Sequence, residues 1–169
     1  MNNLKIVINA GHTKFGTGTG AVGKLNESQE TRKIAFEIMK KLVDTEHEVL
    51  PAVFDKDDHN LRSAVQVANE NKADLFLSIH LNAGGGHGCE AYTWKGKPTN
   101  EAVKALKNLA TLGFTNRGVK DGSSLYVIRN TNCPSVLLEI CFVDNDHDFA
   151  LFKKTGYERI ATAIVEALK

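Results

Sequence analysis

Ala73-Asp74-Leu75-Phe76-Leu77-Ser78-Ile79-His80-Leu81 is a nearly continuous apolar run, interrupted near its end by His80. A run of strand length with no hydrophilic face reads as a strand covered on both sides, the position of a central strand in an α/β sheet. A second run, Val136-Leu137-Leu138-Glu139-Ile140-Cys141-Phe142-Val143, has the same character but carries a carboxylate in its middle. Desolvating an ion inside a protein is costly, so Glu139 must face a cation, a metal or the mouth of a cleft.

Outward from these two runs, short apolar stretches alternate with segments of helical period. Leu4 to Asn9 reads as a strand ending in the turn Ala10-Gly11, followed by a glycine-rich loop from Gly16 to Gly23. Asn26 is a fitting N-cap for a helix that carries Ile34, Ile38 and Leu42 on one face. Glu48 to Phe54 reads as a strand, with Pro51 indicating an edge or a bulge, and Leu61, Val65 and Ala68 mark a second helix. Cys89 to Trp94 alternates as a strand does. Thr99 caps a third helix through Val103, Leu106, Leu109 and Ala110, closed by Gly113, and Leu125 to Ile128 reads as a short strand. Tyr157, Ile160, Ile164, Val165 and Leu168 mark the C-terminal helix. The expectation is an α/β fold, one domain across residues 1–169 with no second domain, and no repeat or linker divides it.

Composition narrows the function. Hydrophobic residues at 42% and charged residues at 24% are ordinary for a globular domain, and a net charge of +1 gives no support to nucleic-acid binding. No apolar run approaches the roughly 20 residues of a membrane span, so no membrane insertion is expected. The N-terminus lacks the succession of a secretory signal, which predicts synthesis in the cytoplasm. Cys89, Cys133 and Cys141 contain no CxxC pair and read as small buried hydrophobes.

Four polar residues fall where strands end or helices begin: His12, Glu27, His80 and Glu139. In α/β sheets such positions gather at one edge, where ligands bind. Two imidazoles and one carboxylate with an open fourth position make a hydrolytic zinc site. Taken singly, each has a plainer explanation: a hydrogen-bonded histidine, or for Glu27 a first-turn carboxylate at the helix dipole. His47, His59, His87 and His147 read as solvated, and His87 with Cys89 as a poor metal pair. Gly18 to Gly23 fits GxGxxG, but it begins well past the strand end and reads as a loop beside the site. Asp144 to Asp148 opens like a calcium loop, yet Phe149 and Thr155 stand where glycine and glutamate are needed.

With these residues in place, the chain from Ile6 to near Leu168 resembles the zinc-dependent N-acetylmuramoyl-L-alanine amidases of the type 3 amidase family, found in phage endolysins and bacterial autolysins. The resemblance is carried by Asn9-Ala10-Gly11-His12, Asn26-Glu27 and Leu77-Ser78-Ile79-His80-Leu81-Asn82-Ala83. It continues through Gly88-Cys89-Glu90-Ala91-Tyr92, Arg117-Gly118-Val119-Lys120, Leu125-Tyr126-Val127 and Pro134-Ser135-Val136-Leu137-Leu138-Glu139. Asn9-Ala10 replaces the family's usual Asp-Pro, and Thr13 a common glycine. The resemblance implies a twisted, mixed, mostly parallel sheet of about six strands flanked by helices. It further implies one Zn2+ ion on His12, Glu27 and His80, with Glu139 as the catalytic carboxylate. The implied reaction is hydrolysis of the amide between the lactyl group of N-acetylmuramic acid and L-alanine of the stem peptide, causing cell-wall lysis. Asn82 would orient a ligand or the substrate, and Arg117 with Lys120 would pair with stem-peptide carboxylates. Peptidoglycan is then the partner, reached after release from the cytoplasm, with wall binding left to local contacts or to a separate module. Two other readings compete: a zinc peptidase cutting within the stem peptide, and a catalytically silent wall-binding module.

Overall fold

In chain order the elements are β1 (Lys5–Ala10), α1 (Glu27–Val43), β2 (Glu48–Ala52), α2 (Asn60–Glu70), β3 (Leu75–Asn82), β4 (Cys89–Thr93), α3 (Asn100–Thr111), β5 (Asn116–Asp121), α4 (Tyr126–Asn130), β6 (Ser135–Phe142) and α5 (Asp146–Val165). They come from a computed structural model, which describes residues 3–169. The six strands make one sheet in the order β2-β1-β3-β6-β4-β5, parallel throughout except where β4 meets β6. This is the α/β class expected from the alternation of apolar runs and helical segments, with the mixed, mostly parallel sheet that the family resemblance implies.

The opening run forms β3, between β1 and β6, and both of its faces are covered. Leu75, Leu77, Ile79 and Leu81 point into a large core with Ile34, Ile38 and Leu42 of α1, Leu106 and Leu109 of α3, and Phe152 and Ile160 of α5. Phe76 points the other way, into a smaller core with Ala64, Val65 and Ala68 of α2 and Val127 and Ile128 of α4. Burial of each large side chain here contributes about 1.5–3 kcal/mol, which is what holds the helical layers to the sheet. Asn26 caps α1 by accepting from Gln29 N–H, and Thr99 caps α3 by accepting from Ala102 N–H. Gly113 lies just past the end of α3 with φ +110°, a conformation that suits glycine at this position. β2 is an edge strand, which accommodates Pro51.

One strand expectation fails. Leu125 to Ile128 is not a strand; Tyr126–Asn130 forms the helix α4, and the remaining strand is β5, Asn116–Asp121. The β-branched Val127 and Ile128 favour a strand locally, but both are buried against α2, which neighbouring residues of a strand could not achieve on one side. Asn130 Nδ2 donates to the Tyr126 carbonyl at 2.8 Å and Thr131 Oγ1 to that of Val127 at 2.5 Å, closing the short helix. β5 sits at the other edge of the sheet, where a strand can stay polar, so its sequence shows no apolar alternation. Smaller differences concern helix faces: Leu61 and Val103 are exposed, at 48% and 47%, beside neighbours that are buried. Gly156, with φ +75°, breaks α5 into two helical segments, and the second carries Tyr157, Ile160 and Ile164.

Candidate metal centre

β1 stops at Ala10, and the next two residues turn sharply across the C-terminal end of β3. Gly11 N–H donates to the Ile79 carbonyl at 2.8 Å, and His12 takes a left-handed conformation, φ +67°, that a residue with a Cβ adopts only at a cost of about 1–3 kcal/mol. Helix α1 holds that turn: Thr31 Oγ1 donates to the Gly11 carbonyl at 3.2 Å and Arg32 Nη2 to the His12 carbonyl at 3.1 Å. Only glycine fits at position 11, since a Cβ there would stand 2.4 Å from the His80 ring.

Glu27 is the first residue of α1, and it is 3% exposed. Its carboxylate leaves its own helix terminus and is held elsewhere. Oε2 accepts from Ala21 N–H at 2.9 Å and Oε1 from Leu81 N–H at 3.1 Å. Oε1 also lies 3.1 Å from His12 Nε2 and 3.0 Å from His80 Nδ1. The glycine-rich loop closes over this group: the Gly18 carbonyl accepts from His12 Nδ1 at 3.0 Å, and a Cβ on Gly20 would stand 2.6 Å from Glu27 Oε2. With Nδ1 donating, a neutral His12 presents the lone pair of Nε2 toward Glu27.

Electrostatics follow from this packing. Burial would raise the Glu27 pKa, but the hydrogen bonds and charge of His12 and His80 outweigh it and hold the carboxyl well below the usual range. For His12 burial lowers the pKa, and Glu27 with the Gly18 carbonyl reverses this to a net rise. For His80 burial dominates and the net shift is downward, favouring the neutral imidazole that binds metals.

Among the described residues, His12, Glu27 and His80 form a group whose donor atoms all lie within 4.8 Å of one another. Two ligand atoms about 2.1 Å from a tetrahedral zinc stand about 3.4 Å apart, and the separations of Glu27 Oε1 from His12 Nε2 and His80 Nδ1, 3.1 and 3.0 Å, are within a few tenths of an ångström of that spacing. The backbone N–H groups of Ala21 and Leu81 and the Gly18 carbonyl supply the outer hydrogen bonds that orient ligands in metal sites. Glu139 is not part of the group. On the sheet it pairs in register with His80 of β3 and with Glu90 of β4, so the three lie in one row across adjacent strands. Its Oε2 is buried without a hydrogen-bond partner among the described residues. Burial, then the charges of Glu27 and Glu90, push the Glu139 pKa up to about 8.

Asn82, Arg117 and Lys120 do come together, on a residue to which the sequence reading gave no role. Glu90, 2% exposed, accepts from Asn82 Nδ2 (2.9 Å) and Tyr92 OH (2.7 Å) at Oε1, and from Arg117 Nε (2.6 Å) and Lys120 Nζ (2.5 Å) at Oε2. Burial opposes ionisation of Glu90, but the Lys120 and Arg117 cations prevail and bring its pKa down to about 2. The available signal was a carboxylate inside the alternating stretch Cys89 to Trp94. Cys89 and Cys141 are buried, and burial pushes the Cys89 thiol up to about 12, as expected of inert core cysteines. Two aspartates of the rejected calcium loop serve backbone groups, Asp144 Oδ2 accepting from Gly84 and Gly85 and Asp148 Oδ2 from Gly88 and Phe142, and Asp146 pairs with Lys24 at 2.7 Å.

The profile of the N-acetylmuramoyl-L-alanine amidase family matches residues 6–169. The N-acetylmuramoyl-L-alanine amidase CwlM of Bacillus licheniformis is 34% identical over 160 residues, covering 91% of this chain and 62% of its own length. The endolysin of Bacillus phage SPP1 is 34% identical over 162 residues, covering 89% of this chain and 59% of its own. Across four curated relatives, two of them uncharacterised Clostridium perfringens proteins, the chain spans from 51% to 62% of their length. Among solved structures, the catalytic domain of the CD27L endolysin targeting Clostridia Difficile is similar with a TM-score of 0.88 and 31% identity, over 98% of this chain and 97% of that one.

Proposed function

The chain belongs to the N-acetylmuramoyl-L-alanine amidase family, and from that membership we propose that it is a zinc-dependent peptidoglycan hydrolase. It cleaves the amide between the lactyl group of N-acetylmuramic acid and L-alanine of the stem peptide. His12, Glu27 and His80 hold the zinc, and Glu139 is the catalytic acid and base. The observation that carries this reading is the convergence of three ligand-type side chains within 4.8 Å, with an unpartnered carboxylate in register beside His80.

Zinc, when bound, supplies a Lewis acid that polarises the amide carbonyl and acidifies a water molecule at neutral pH. The protein supplies the rest. Ala21 and Leu81 N–H groups fix the Glu27 carboxylate, and the Gly18 carbonyl fixes the tautomer of His12, so the ligand atoms are pre-oriented. Glu139 stands one strand away, its backbone fixed on β6 between β3 and β4. It takes a proton from the attacking water and delivers it to the L-alanine nitrogen, which leaves as an amine. Its raised pKa suits both steps, because a nearby dication draws a carboxyl of pKa about 8 back toward neutrality. Because His12, Glu27 and His80 would hold the ion without it, Glu139 would remain free for proton transfer.

Digestion of purified cell walls, followed by identification of the new amino termini, tests the reaction. Free L-alanine ends are expected; ends at any other residue would reject the amidase in favour of a stem-peptide peptidase. Zinc analysis with chelation and re-addition tests the cofactor, and an active, metal-free protein would overturn the mechanism.

A further inference from the structure

Ser135, Leu137 and Glu139 occupy alternate positions of β6, so they share one face of the sheet. At Leu137 that face is covered by Val127 and Ile128 of α4. At Ser135, about 13 Å along the strand from Glu139, it opens into a second cavity of about 390 Å³. The metal centre makes no use of this space.

The cavity is lined by Trp94, the only tryptophan of the chain, which is 46% exposed. Its turn is strained. Lys95 takes φ +55°, one of three residues with a Cβ that adopt a left-handed conformation among the described residues, and another of the three is His12 at the metal centre. Such backbone is costly unless its surroundings enforce it, and it gathers at ligand sites. Here Thr93 Oγ1 donates to the Lys97 carbonyl at 2.8 Å and Lys95 N–H to Ser123 Oγ at 3.0 Å, which fixes the turn and keeps the indole at the surface. An indole so placed offers an apolar platform to the C–H face of a sugar ring.

Lys97, Arg129, Thr131 and Asn132 stand around it, and no acidic residue lines the cavity. Arg117 and Lys120 are spent on Glu90. Lys97 and Arg129, by contrast, enter no ion pair among the described residues. A ligand that satisfies the whole cavity combines a ring face with an anion. Peptidoglycan meets that description only after the reaction. The lactyl carbonyl of muramic acid is neutral while it is held in the amide; hydrolysis releases the L-alanine amine and leaves a carboxylate on the sugar.

We propose that the Trp94 cavity binds the peptide-stripped glycan, with a muramic acid ring on the indole and its lactyl carboxylate on Lys97 and Arg129. The inference rests on the amidase reading above, which supplies the ligand. Charge-assisted hydrogen bonds from the two cations distinguish the cleared sugar from the uncleared one. Such a site holds the domain on strands it has already cleared and keeps the metal centre close to the stem peptides that remain.

Fluorescence of the single tryptophan reports occupancy of this cavity directly. The probe, titrated into the zinc-loaded protein, is the tetrasaccharide of alternating N-acetylglucosamine and N-acetylmuramic acid, with its lactyl carboxyls free or converted to primary amides. The free acid should alter the Trp94 emission and bind on the order of tenfold more tightly than the amide. Lys97→Gln and Arg129→Gln, both at exposed positions, should each remove most of that preference and leave affinity for the amide in place. An emission that does not respond to the acid would overturn the site, as would equal affinity for acid and amide. An equal response to poly(glycerol phosphate), an anion with no ring to stack, would overturn the assignment to a sugar. The glycan is supplied ready-made, so the titration needs no turnover, and failure of the amidase reading is separately visible as wall digests without new L-alanine termini.

Discussion

Glu139→Gln separates the cost of the buried carboxylate from its use. In the folded, metal-free protein this carboxyl titrates at about 8, against an ordinary value of 4.5. Below 4.5 it is protonated in both the folded and unfolded chain, and no penalty exists. As the pH rises the unfolded chain releases the proton while the folded one retains it, so stability falls until the penalty levels off above about 8. Each pH unit is about 1.4 kcal/mol, so the interval from 4.5 to 7 corresponds to a loss of about 3 kcal/mol. Glutamine keeps the shape without the ionisation. Glu139→Gln should therefore stabilise the chelator-treated protein at pH 7 by about 1–3 kcal/mol, a rise in melting temperature of roughly 2–10 °C for a domain of this size. At pH 4 the two proteins should melt together. The same substitution should lower the rate of turbidity loss in a wall suspension by about 10²–10⁴-fold, with zinc content unchanged. Scanning calorimetry at the two pH values with EDTA present measures the first effect. Equal melting temperatures at pH 7 would refute an unpartnered buried carboxylate, and activity within a few-fold of wild type would remove Glu139 from the chemistry.

Three further outcomes are expected. His80→Ala should lower bound zinc to well below one ion per chain by atomic absorption, while Glu139→Ala retains it; wild-type occupancy would take His80 out of the ligand set. Glu90→Gln should destabilise the protein by about 3 kcal/mol at pH 7 in urea, because the Arg117 and Lys120 charges lose their buried partner. The Glu90 pKa of about 2 lies below its ordinary 4.5, so this difference should be complete above 4.5 and should vanish as the pH falls through 2. Gly20→Ala combines φ +79° with a Cβ 2.6 Å from Glu27 Oε2 and should weaken zinc binding about 10–100-fold in a competition titration against a chromophoric chelator.

Much of this arrangement was legible along the chain. Burial imposes its period on each helix and strand, so Ile34, Ile38 and Leu42, or the run Leu75 to Leu81, announced their elements locally. Where burial pressure is weak the signal is weak too. β5, a polar edge strand with one neighbour, left no alternation to read, and the β-branched Val127 and Ile128 of α4 imitated the strand that β5 actually provides. The three ligand-type residues could be suspected from their places at strand ends and a helix start, positions that a parallel sheet gathers at one edge.

What the chain by itself determined was the layered α/β class, the covered central strand, and the short set of polar residues with no good reason to sit where they do. Tertiary structure decided who meets whom. The sheet order places β6 between β3 and β4, and that non-local choice sets His80, Glu139 and Glu90 in one row. One extra residue in the β5 register turns Arg117 and Lys120 to the same carboxylate, an outcome alternation alone would forbid. Periodicity reports how deeply a residue is buried, because burial acts on each segment separately. Pairing depends on which strands become neighbours and in what register, and that is settled by the packing of the whole sheet against its helices.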